Sequence, residues 1–238
     1  MNKKKIIAII LEIVFLILII VSGYNIYIWY AENQKTTNIL EKVSQSIVVD
    51  EDTGKKTIDI KKLQEENEDT VAYIEVNGTD VKYPVVQASD NDYYLDHSFD
   101  KSVSGAGWIF ADYKNKFDGT DKNIIIYGHN RRDGSMFSSL KNILSKEWYE
   151  NEENKYVRLT TEKGEQKYEV FSVYQIEAED YYIQTSFTQE SFSDFIKTLK
   201  KRSITDFGVE VGENDSILTL STCANNNQYR VVLHAKKI

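Results

Sequence analysis

Residues 216–223 read SILTLSTC, and residues 230–235 read RVVLHA. Both stretches are rich in β-branched and apolar residues and end at polar segments, a pattern typical of β-strands. Turn signals such as Asn77-Gly78 and Lys163-Gly164 separate several other stretches of the same kind. Eight strands are predicted in all, over residues 71–76, 81–86, 108–111, 123–127, 156–160, 168–176, 216–221 and 230–235. This number of short strands predicts a mostly β protein, either a closed barrel or a sandwich. Pro84, the only proline, is expected at a strand edge or a bulge.

The composition is acidic, with 37 Asp and Glu against 29 Lys and Arg and a formal net charge of −8. Without the first thirty residues, which hold three Lys and one Glu, 26 basic and 36 acidic residues remain. Such a domain is a poor candidate for nucleic-acid binding, because phosphate contacts need clustered Lys and Arg. One cysteine and three histidines leave little material for a disulfide framework or a metal centre. No metal or organic cofactor is expected.

The N-terminal segment has the pattern of a membrane anchor. Lys3, Lys4 and Lys5 precede an apolar and aromatic stretch over residues 6–30, in which Glu12 is the one charged residue. At a bilayer centre Glu12 would cost about 3 kcal/mol, whereas the Ile, Leu, Val and Phe residues contribute about −4 to −8 kcal/mol. Insertion is therefore favoured, with residues 1–5 in the cytoplasm, residues 6–30 in the membrane and residues 31–238 outside. A cleaved signal peptide is the alternative, although no clear A-x-A cleavage site follows.

Helices are predicted both before the strands and between them. Residues 31–66 are expected to form a helical lead-in, with an amphipathic helix over 31–49, a polar break at 50–56 and a second helix to about residue 66. Two further apolar stripes have helical spacing: Met136, Phe137, Leu140, Ile143 and Leu144, and then Phe192, Phe195, Ile196 and Leu199. Both stripes are interpreted as faces that pack on the core.

The single cysteine, Cys223, lies where a predicted strand gives way to the polar segment 224–228. A lone cysteine is most often a buried apolar side chain. Its position at a rim, and the rarity of an unpaired thiol outside the cytoplasm, favour a chemical role instead.

Two further residues follow or begin strands in the same manner. His129 comes after the predicted strand 123–127 and a glycine, and Arg230 opens the last strand. Taken alone, each has an ordinary structural interpretation, as a hydrogen-bonded loop histidine and as a surface ion pair. His97 and His234 are interpreted as structural.

Together, Cys223, His129 and Arg230 have the chemistry of a nucleophilic site. A thiolate is the attacking group, an imidazole can increase the thiolate fraction and then protonate a leaving amine, and an arginine can stabilise an oxyanion. A hairpin between the last two strands would bring Cys223 and Arg230 together. The sequence by itself does not show that His129 comes near.

These residues resemble a class B sortase. Thr219-Leu220-Ser221-Thr222-Cys223 matches the TLxTC signature of the family, and Arg230 follows at the head of the final strand. The segments at 83–87, 90–95, 107–110 and 127–130 and the helical stretch 187–203 resemble class B segments in the same order. The likeness covers about residues 65–238. The connection of six residues between Cys223 and Arg230 is shorter than in many class B members.

The resemblance implies a closed eight-stranded β-barrel over residues 67–238, with N-terminal helices and a long helix before the cysteine strand. It implies that Cys223 is the nucleophile, His129 the acid and base, and Arg230 the stabiliser of oxyanion or substrate. Five more residues fall where family members line the substrate groove: Leu95, Tyr182, Ile183, Ser221 and Thr222.

The function implied is that of a membrane-anchored transpeptidase at a Gram-positive cell surface. It cleaves an Asn-Pro-X-Thr-X sorting signal after Thr and joins the surface protein to an amine of a peptidoglycan precursor. A cysteine protease that hydrolyses the same signal and a pilin-polymerising sortase are alternatives. A third alternative is a tethered binding module in which Cys223 is inert.

Overall fold

The computed structural model describes residues 3–49, 56–224 and 228–238. The chain divides into two compact units, Met1–Ile39 and Leu40–Ile238. The α-helices are α1 Lys3–Ser44, α2 Ile60–Glu66, α3 Lys146–Tyr149 and α4 Gln189–Arg202, and 3-10 helices cover Tyr93–Leu95, Ser138–Leu144 and Glu152–Asn154. The strands are β1 Ile47–Val49, β2 Lys56–Ile58, β3 Thr70–Val76, β4 Lys82–Val86, β5 Phe110–Ala111, β6 Asn123–Gly128, β7 Tyr156–Thr161, β8 Gly164–Glu177, β9 Ile217–Ala224 and β10 Tyr229–Lys237.

Eight of these strands form a closed barrel in the order β10-β8-β7-β3-β4-β5-β6-β9, and β9 closes it by pairing with β10. The pairs β4–β5 and β6–β9 are parallel, and the other neighbours are antiparallel. Closure leaves no free sheet edge, which suits a domain built from short strands. The eight-stranded barrel expected from the resemblance is confirmed.

Strand β9, which ends in the candidate site, pairs with β6 on one side and with β10 on the other. From Ile217 to Thr222 each of its residues is buried, so both faces are covered. The sequence pattern predicts alternation of two faces, but it does not distinguish a half-exposed strand from one that is buried on both sides.

Helix α4 precedes β9, as predicted. Thr188 caps its N-terminus by accepting a hydrogen bond from the Ser191 backbone, and the Ser191 hydroxyl closes a capping box. The predicted stripe is buried in a cluster with the barrel wall: Phe171, Tyr174, Tyr182, Phe192, Phe195, Ile196, Leu199, Ile217 and Val232.

Near the N-terminus the boundaries differ from the prediction. Helix α1 ends at Ser44, and residues 47–49 form β1 instead of the end of a helix. Strand β1 pairs with β2, and α2 begins at Ile60 after its cap Asp59. Most of the predicted polar break, residues 50–55, lies outside the described residues.

The stripe from Met136 to Leu144 also differs from the prediction. Its residues up to Ile143 are buried as expected, but the helix is 3-10 and begins only at Ser138. Met136 has a φ of 57°, a left-handed conformation that cannot belong to a right-handed helix.

Pro84 lies where β4 lacks a second neighbour. Its partner on β3 is Tyr73, whereas β4 pairs with β5 only at Val86. The Pro84 carbonyl accepts a hydrogen bond of 3.0 Å from the Trp108 indole instead of from a strand. The closed barrel has no free edge, but this gap in the β4–β5 ladder is the local equivalent of the expected edge, and a residue without an N–H needs no ladder partner there.

Candidate active site

Three predicted site residues align across neighbouring strands at one end of the barrel. In the ladder between β9 and β10, Cys223 lies directly opposite Arg230. In the parallel ladder between β6 and β9, Gly128 lies beside Thr222. His129 directly follows Gly128 at the end of β6, and Cys223 directly follows Thr222 in β9, so their backbones leave this register from two adjacent parallel strands, which run about 4.8 Å apart. The proximity of His129 that the sequence left open follows from this register.

A cavity of about 410 Å³ opens at this end of the barrel. Seven of the eight predicted site residues line it, namely Leu95, His129, Tyr182, Ile183, Ser221, Thr222 and Arg230. For Cys223, the eighth, the backbone is described and the side chain lies outside the described part of the structure. These seven residues therefore meet at one cavity, although they come from distant parts of the chain.

The His129 ring is oriented by a backbone carbonyl. Its Nε2 lies 2.7 Å from the Leu95 carbonyl oxygen. Because a carbonyl can only accept, Nε2 carries the hydrogen, and Nδ1 is the nitrogen with a lone pair in the neutral ring. The His129 backbone is held as well, since its carbonyl accepts from Phe137 N at 2.9 Å.

This orientation depends on a glycine. Gly107 has a φ of +58°, and a Cβ there would meet the Leu95 carbonyl oxygen at 2.7 Å and His129 Cδ2 at 2.8 Å. Only glycine allows the backbone segment at Leu95 to approach the histidine ring this closely.

Arg230 and Thr222 place polar groups at the cavity. Arg230 is partly buried, and its Nη1 donates to the Tyr229 carbonyl at 3.1 Å. Thr222 Oγ1 is buried, and within the described part of the chain it is the one buried side-chain polar atom without a hydrogen-bond partner. A buried hydroxyl without a partner costs free energy, so a polar group of a ligand in the cavity would satisfy it.

The remaining wall of the cavity is formed mostly by residues 178–183. Tyr182 is buried, and its hydroxyl lies 2.9 Å from Ser221 Oγ on β9. Ile183 lines the same wall. Leu95, from a different part of the chain, also lines the cavity, and 41% of its surface is exposed. These side chains give the cavity an apolar lining with a few polar groups, the usual composition of a ligand site.

Sequence reasoning did not single out several other residues that line the cavity. Asn91 and Tyr127 are both held by the buried Asp112, whose Oδ2 accepts from the Asn91 amide at 3.0 Å and from the Tyr127 hydroxyl at 2.9 Å. Phe110, Ala178, Glu179 and Asp180 also line it. No periodic pattern marks these residues, because they come from several loops and strand ends that are distant in the sequence.

The other two histidines lie elsewhere. His97 stacks on Tyr93 at a ring distance of 4.1 Å, and its Nδ1 lies 2.7 Å from Asp96 Oδ1. His234 is buried in the barrel wall, where desolvation lowers its pKa to about 3. Among the described residues, no group of three or more His, Cys, Asp or Glu side chains could hold a metal ion.

Comparison with known proteins gives consistent results. Residues 74–238 match the sortase domain family. Sortase B of Listeria monocytogenes is 35% identical over 238 residues, which cover 96% of this chain and 95% of that protein. A crystal structure of sortase B from Bacillus anthracis in complex with AAEK1 superposes with a TM-score of 0.76 at 31% identity, covering 90% of this chain and 99% of that one. A Staphylococcus aureus sortase B–substrate complex has a TM-score of 0.70 at 28% identity and covers 91% and 97%.

Proposed function

This chain belongs to the sortase family and within it to sortase B, whose members are cysteine transpeptidases of cell-wall sorting, and we propose that Cys223, His129 and Arg230 carry its reaction. The register of β6, β9 and β10 supports this assignment, because Cys223 lies opposite Arg230, Gly128 lies beside Thr222, and His129 and Arg230 both line the cavity.

In the proposed first half-reaction, the Cys223 thiolate attacks the carbonyl carbon of a threonine in the substrate. The carbonyl becomes an oxyanion, and its collapse breaks the peptide bond. The departing amine takes a proton from the His129 imidazolium, and a thioester remains on Cys223. In the second half, an amine from a cell-wall precursor attacks the thioester and gives its proton to His129, and the thiolate leaves.

The hydrogen bond to the Leu95 carbonyl supports this role for His129. It keeps Nε2–H occupied and leaves Nδ1 as the nitrogen that exchanges a proton with the thiol and the amines. The carbonyl acts as the orienting group that a carboxylate provides in a serine protease triad.

Arg230 and Thr222 are assigned to the substrate carbonyl and its oxyanion. Arginine keeps its charge at every accessible pH and donates several N–H groups in a fixed geometry. The unpartnered Thr222 hydroxyl is a donor for the same region. Hydrogen bonds that strengthen as the oxyanion develops lower the barrier of acyl transfer.

For the substrate, we propose a surface protein with an Asn-Pro-X-Thr-X sorting signal, cleaved after Thr. Leu95, Tyr182, Ile183 and Ser221 would line the groove for this peptide, together with Thr222. The acceptor would be an amine of a peptidoglycan precursor.

For the location, we propose a single-pass anchor over residues 6–30 with residues 1–5 in the cytoplasm. Helix α1 is long and apolar enough to cross a membrane, and its apolar side chains between Ile6 and Tyr30 are exposed. The lead-in 31–66 would then connect this anchor to a domain over residues 67–238, which would act at the cell surface, where sortases work. A cleaved signal sequence has the same composition, and the mass of the protein purified from membranes distinguishes the two.

The test uses the full chain in detergent micelles with an Asn-Pro-X-Thr-X peptide library. Each peptide is incubated with and without an amine acceptor, either oligoglycine or a stem peptide that contains diaminopimelate. Mass spectrometry follows both the ligated product and an acyl adduct on the protein. Because the chain has one cysteine, an adduct that hydroxylamine releases reports on Cys223 alone.

We expect a ligation product with the wild type and none with Cys223→Ala or His129→Ala. His97→Ala is the matched control, because it removes a histidine outside the cavity and should keep wild-type activity. A product ending in free Thr, with every acceptor present, would instead indicate a hydrolase. Equal silence of wild type and Cys223→Ala, with a thiol that resists alkylation, would overturn the catalytic assignment in favour of a binding module.

A further inference from the structure

A chain of hydrogen bonds joins side chains from four neighbouring strands of the barrel. The Tyr181 hydroxyl donates to the Tyr174 hydroxyl at 2.9 Å, and the latter lies 2.8 Å from His234 Nε2. On the other side of the ring, His234 Nδ1 lies 2.9 Å from Thr219 Oγ1, which donates to Asn123 Oδ1 at 2.7 Å. Except for Tyr181, all of these side chains are buried.

The chain returns to the loop from which it started. Asn123 Nδ2 donates to the Gln184 carbonyl at 2.9 Å, and Gln184 Nε2 donates to the Tyr181 carbonyl at 2.9 Å. Positions 181 and 184 of one loop are thus connected through β8, β10, β9 and β6 in turn.

The directions of these bonds define the state of His234. Because the Gln184 carbonyl can only accept, the Asn123 amide nitrogen faces it, and the amide oxygen faces Thr219. The Thr219 hydrogen is used there, so Thr219 accepts from His234 Nδ1–H, and His234 Nε2 accepts from Tyr174. Tyr174 and Thr219 therefore each accept one hydrogen bond and donate the next. Because His234 donates from Nδ1 and accepts at Nε2, its imidazole is neutral in this arrangement.

The loop held in this way forms a wall of the cavity. Tyr182 and Ile183, both cavity-lining residues, lie between the two anchored positions. The Tyr182 ring also packs edge-on against the His234 ring at 6.3 Å. Any displacement of Tyr181 or Gln184 would therefore move the residues assigned to the groove.

Side chains rather than a regular backbone ladder hold this loop, and besides the chain through His234 they include Tyr182, whose hydroxyl lies 2.9 Å from Ser221 Oγ, and Arg202, which lies 3.7 Å from the Tyr181 ring and 3.3 Å from Glu179. Residues 178–188 contain no helix or strand. Backbone hydrogen bonds in its first half join Ala178 N to the Gln228 carbonyl and Ile183 N to the Asp180 carbonyl, both at 3.0 Å. Segments without a strand or helix ladder open at low free energy, so side-chain anchors decide their order.

We propose that His234, through Tyr174 and Thr219, is a positioning residue that holds the loop 178–184 in the conformation that binds the peptide substrate. The inference rests on the proposed function in one respect, namely that this wall contacts the sorting signal. His234 takes no part in the chemistry, so its loss should affect substrate binding more than the chemical step.

The test breaks the chain on either side of His234 without removing packing volume. Tyr174→Phe deletes the hydroxyl that links to Tyr181, and Thr219→Val deletes the one that links to Asn123. Ser172→Ala is the matched control, because Ser172 is a buried hydroxyl on the same strand as Tyr174, but it donates to the Leu199 carbonyl of α4 at 2.7 Å.

Full chains in detergent are compared by hydrogen–deuterium exchange and by peptide ligation kinetics. In both chain-breaking variants we expect about tenfold faster exchange in residues 178–184, a KM for peptide about fivefold higher and a kcat within about twofold of wild type. The double variant should do little more than either single one, because both break the same chain. Ser172→Ala should leave all three measurements unchanged.

Unchanged exchange in residues 178–184 refutes the inference, whatever the enzyme does with peptides. Faster exchange with an unchanged KM, or an equal effect of Ser172→Ala, also overturns it. If the wild type ligates no peptide at all, the proposed function fails, and the exchange data alone decide whether the chain orders the loop.

Discussion

Acidification should destabilise this protein through His234. Burial lowers the pKa of its imidazole from 6.5 to about 3, so the folded protein keeps the ring neutral where the unfolded chain protonates it. A lowered histidine pKa contributes stability that is present above pH 6.5 and is lost as the pH falls towards about 3.

The size of the effect follows from the two pKa values. Between pH 7.5 and 5.0 the unfolded imidazole takes up a proton almost completely, while the folded one takes up almost none. At about 1.4 kcal/mol per pH unit below 6.5, the free energy of unfolding should fall by about 2 kcal/mol from this group alone. Asp133 and Asp215, whose pKa values are lowered by hydrogen bonds and by Arg131 and Lys236, add further losses at lower pH.

The assay compares the wild type with His234→Gln by urea unfolding in detergent micelles at pH 7.5 and 5.0. Fluorescence of the buried Trp108 and Trp148 reports on the barrel. The variant should be less stable at pH 7.5 but should lose about 2 kcal/mol less than the wild type on acidification, because the carboxylate contributions are common to both. Equal losses in the two proteins would contradict this prediction, since they would mean that His234 titrates alike in the folded and unfolded states.

Three further predictions concern the candidate active site. Gly107→Ala should lower kcat about tenfold or more, because the added Cβ displaces the carbonyl that orients His129. The control in the same kinetic assay is Gly134→Ala, which should keep kcat near wild type. Gly134 also has a positive φ, +88°, but nothing lies within 4 Å of a Cβ added there. Thr222→Val should lower kcat/KM about tenfold and leave the urea midpoint unchanged or higher, because it removes a buried hydroxyl that only the substrate satisfies. A lower urea midpoint with unchanged kinetics would contradict this. Arg230→Lys should keep the charge but lower kcat/KM about tenfold or more, since a lysine cannot reproduce the fixed geometry of the guanidinium. Wild-type kinetics of this variant would show that the charge alone is sufficient.

Much of this architecture could be predicted from local sequence. All eight barrel strands were predicted, because β-branched residues with turn signals on either side constrain each segment independently of the others. Their lengths were less accurate, as with β5, which has two residues, and β8, which has fourteen. Strand ends depend on how far a neighbour continues the ladder, and that information is not local.

The helices show the same limit. Apolar spacing predicted burial of the segment at Met136, but the left-handed Met136 backbone, whose N–H donates to the Tyr83 hydroxyl, prevents a regular helix from starting there. A contact between residues 53 positions apart decides this boundary.

At the candidate site, the reactive residue types and their positions at strand ends could be predicted, since a lone thiol, a histidine after a glycine and an arginine at a strand start are local features. The pairing of β6 with β9, which brings the backbones of His129 and Cys223 close together, and the orientation of the histidine ring by Leu95 and Gly107 are visible only in the folded barrel. The chain through His234 likewise joins residues from four strands and a loop. The physical reason is that strand periodicity is set by neighbouring residues, whereas barrel closure and buried hydrogen bonds join groups up to about a hundred positions apart.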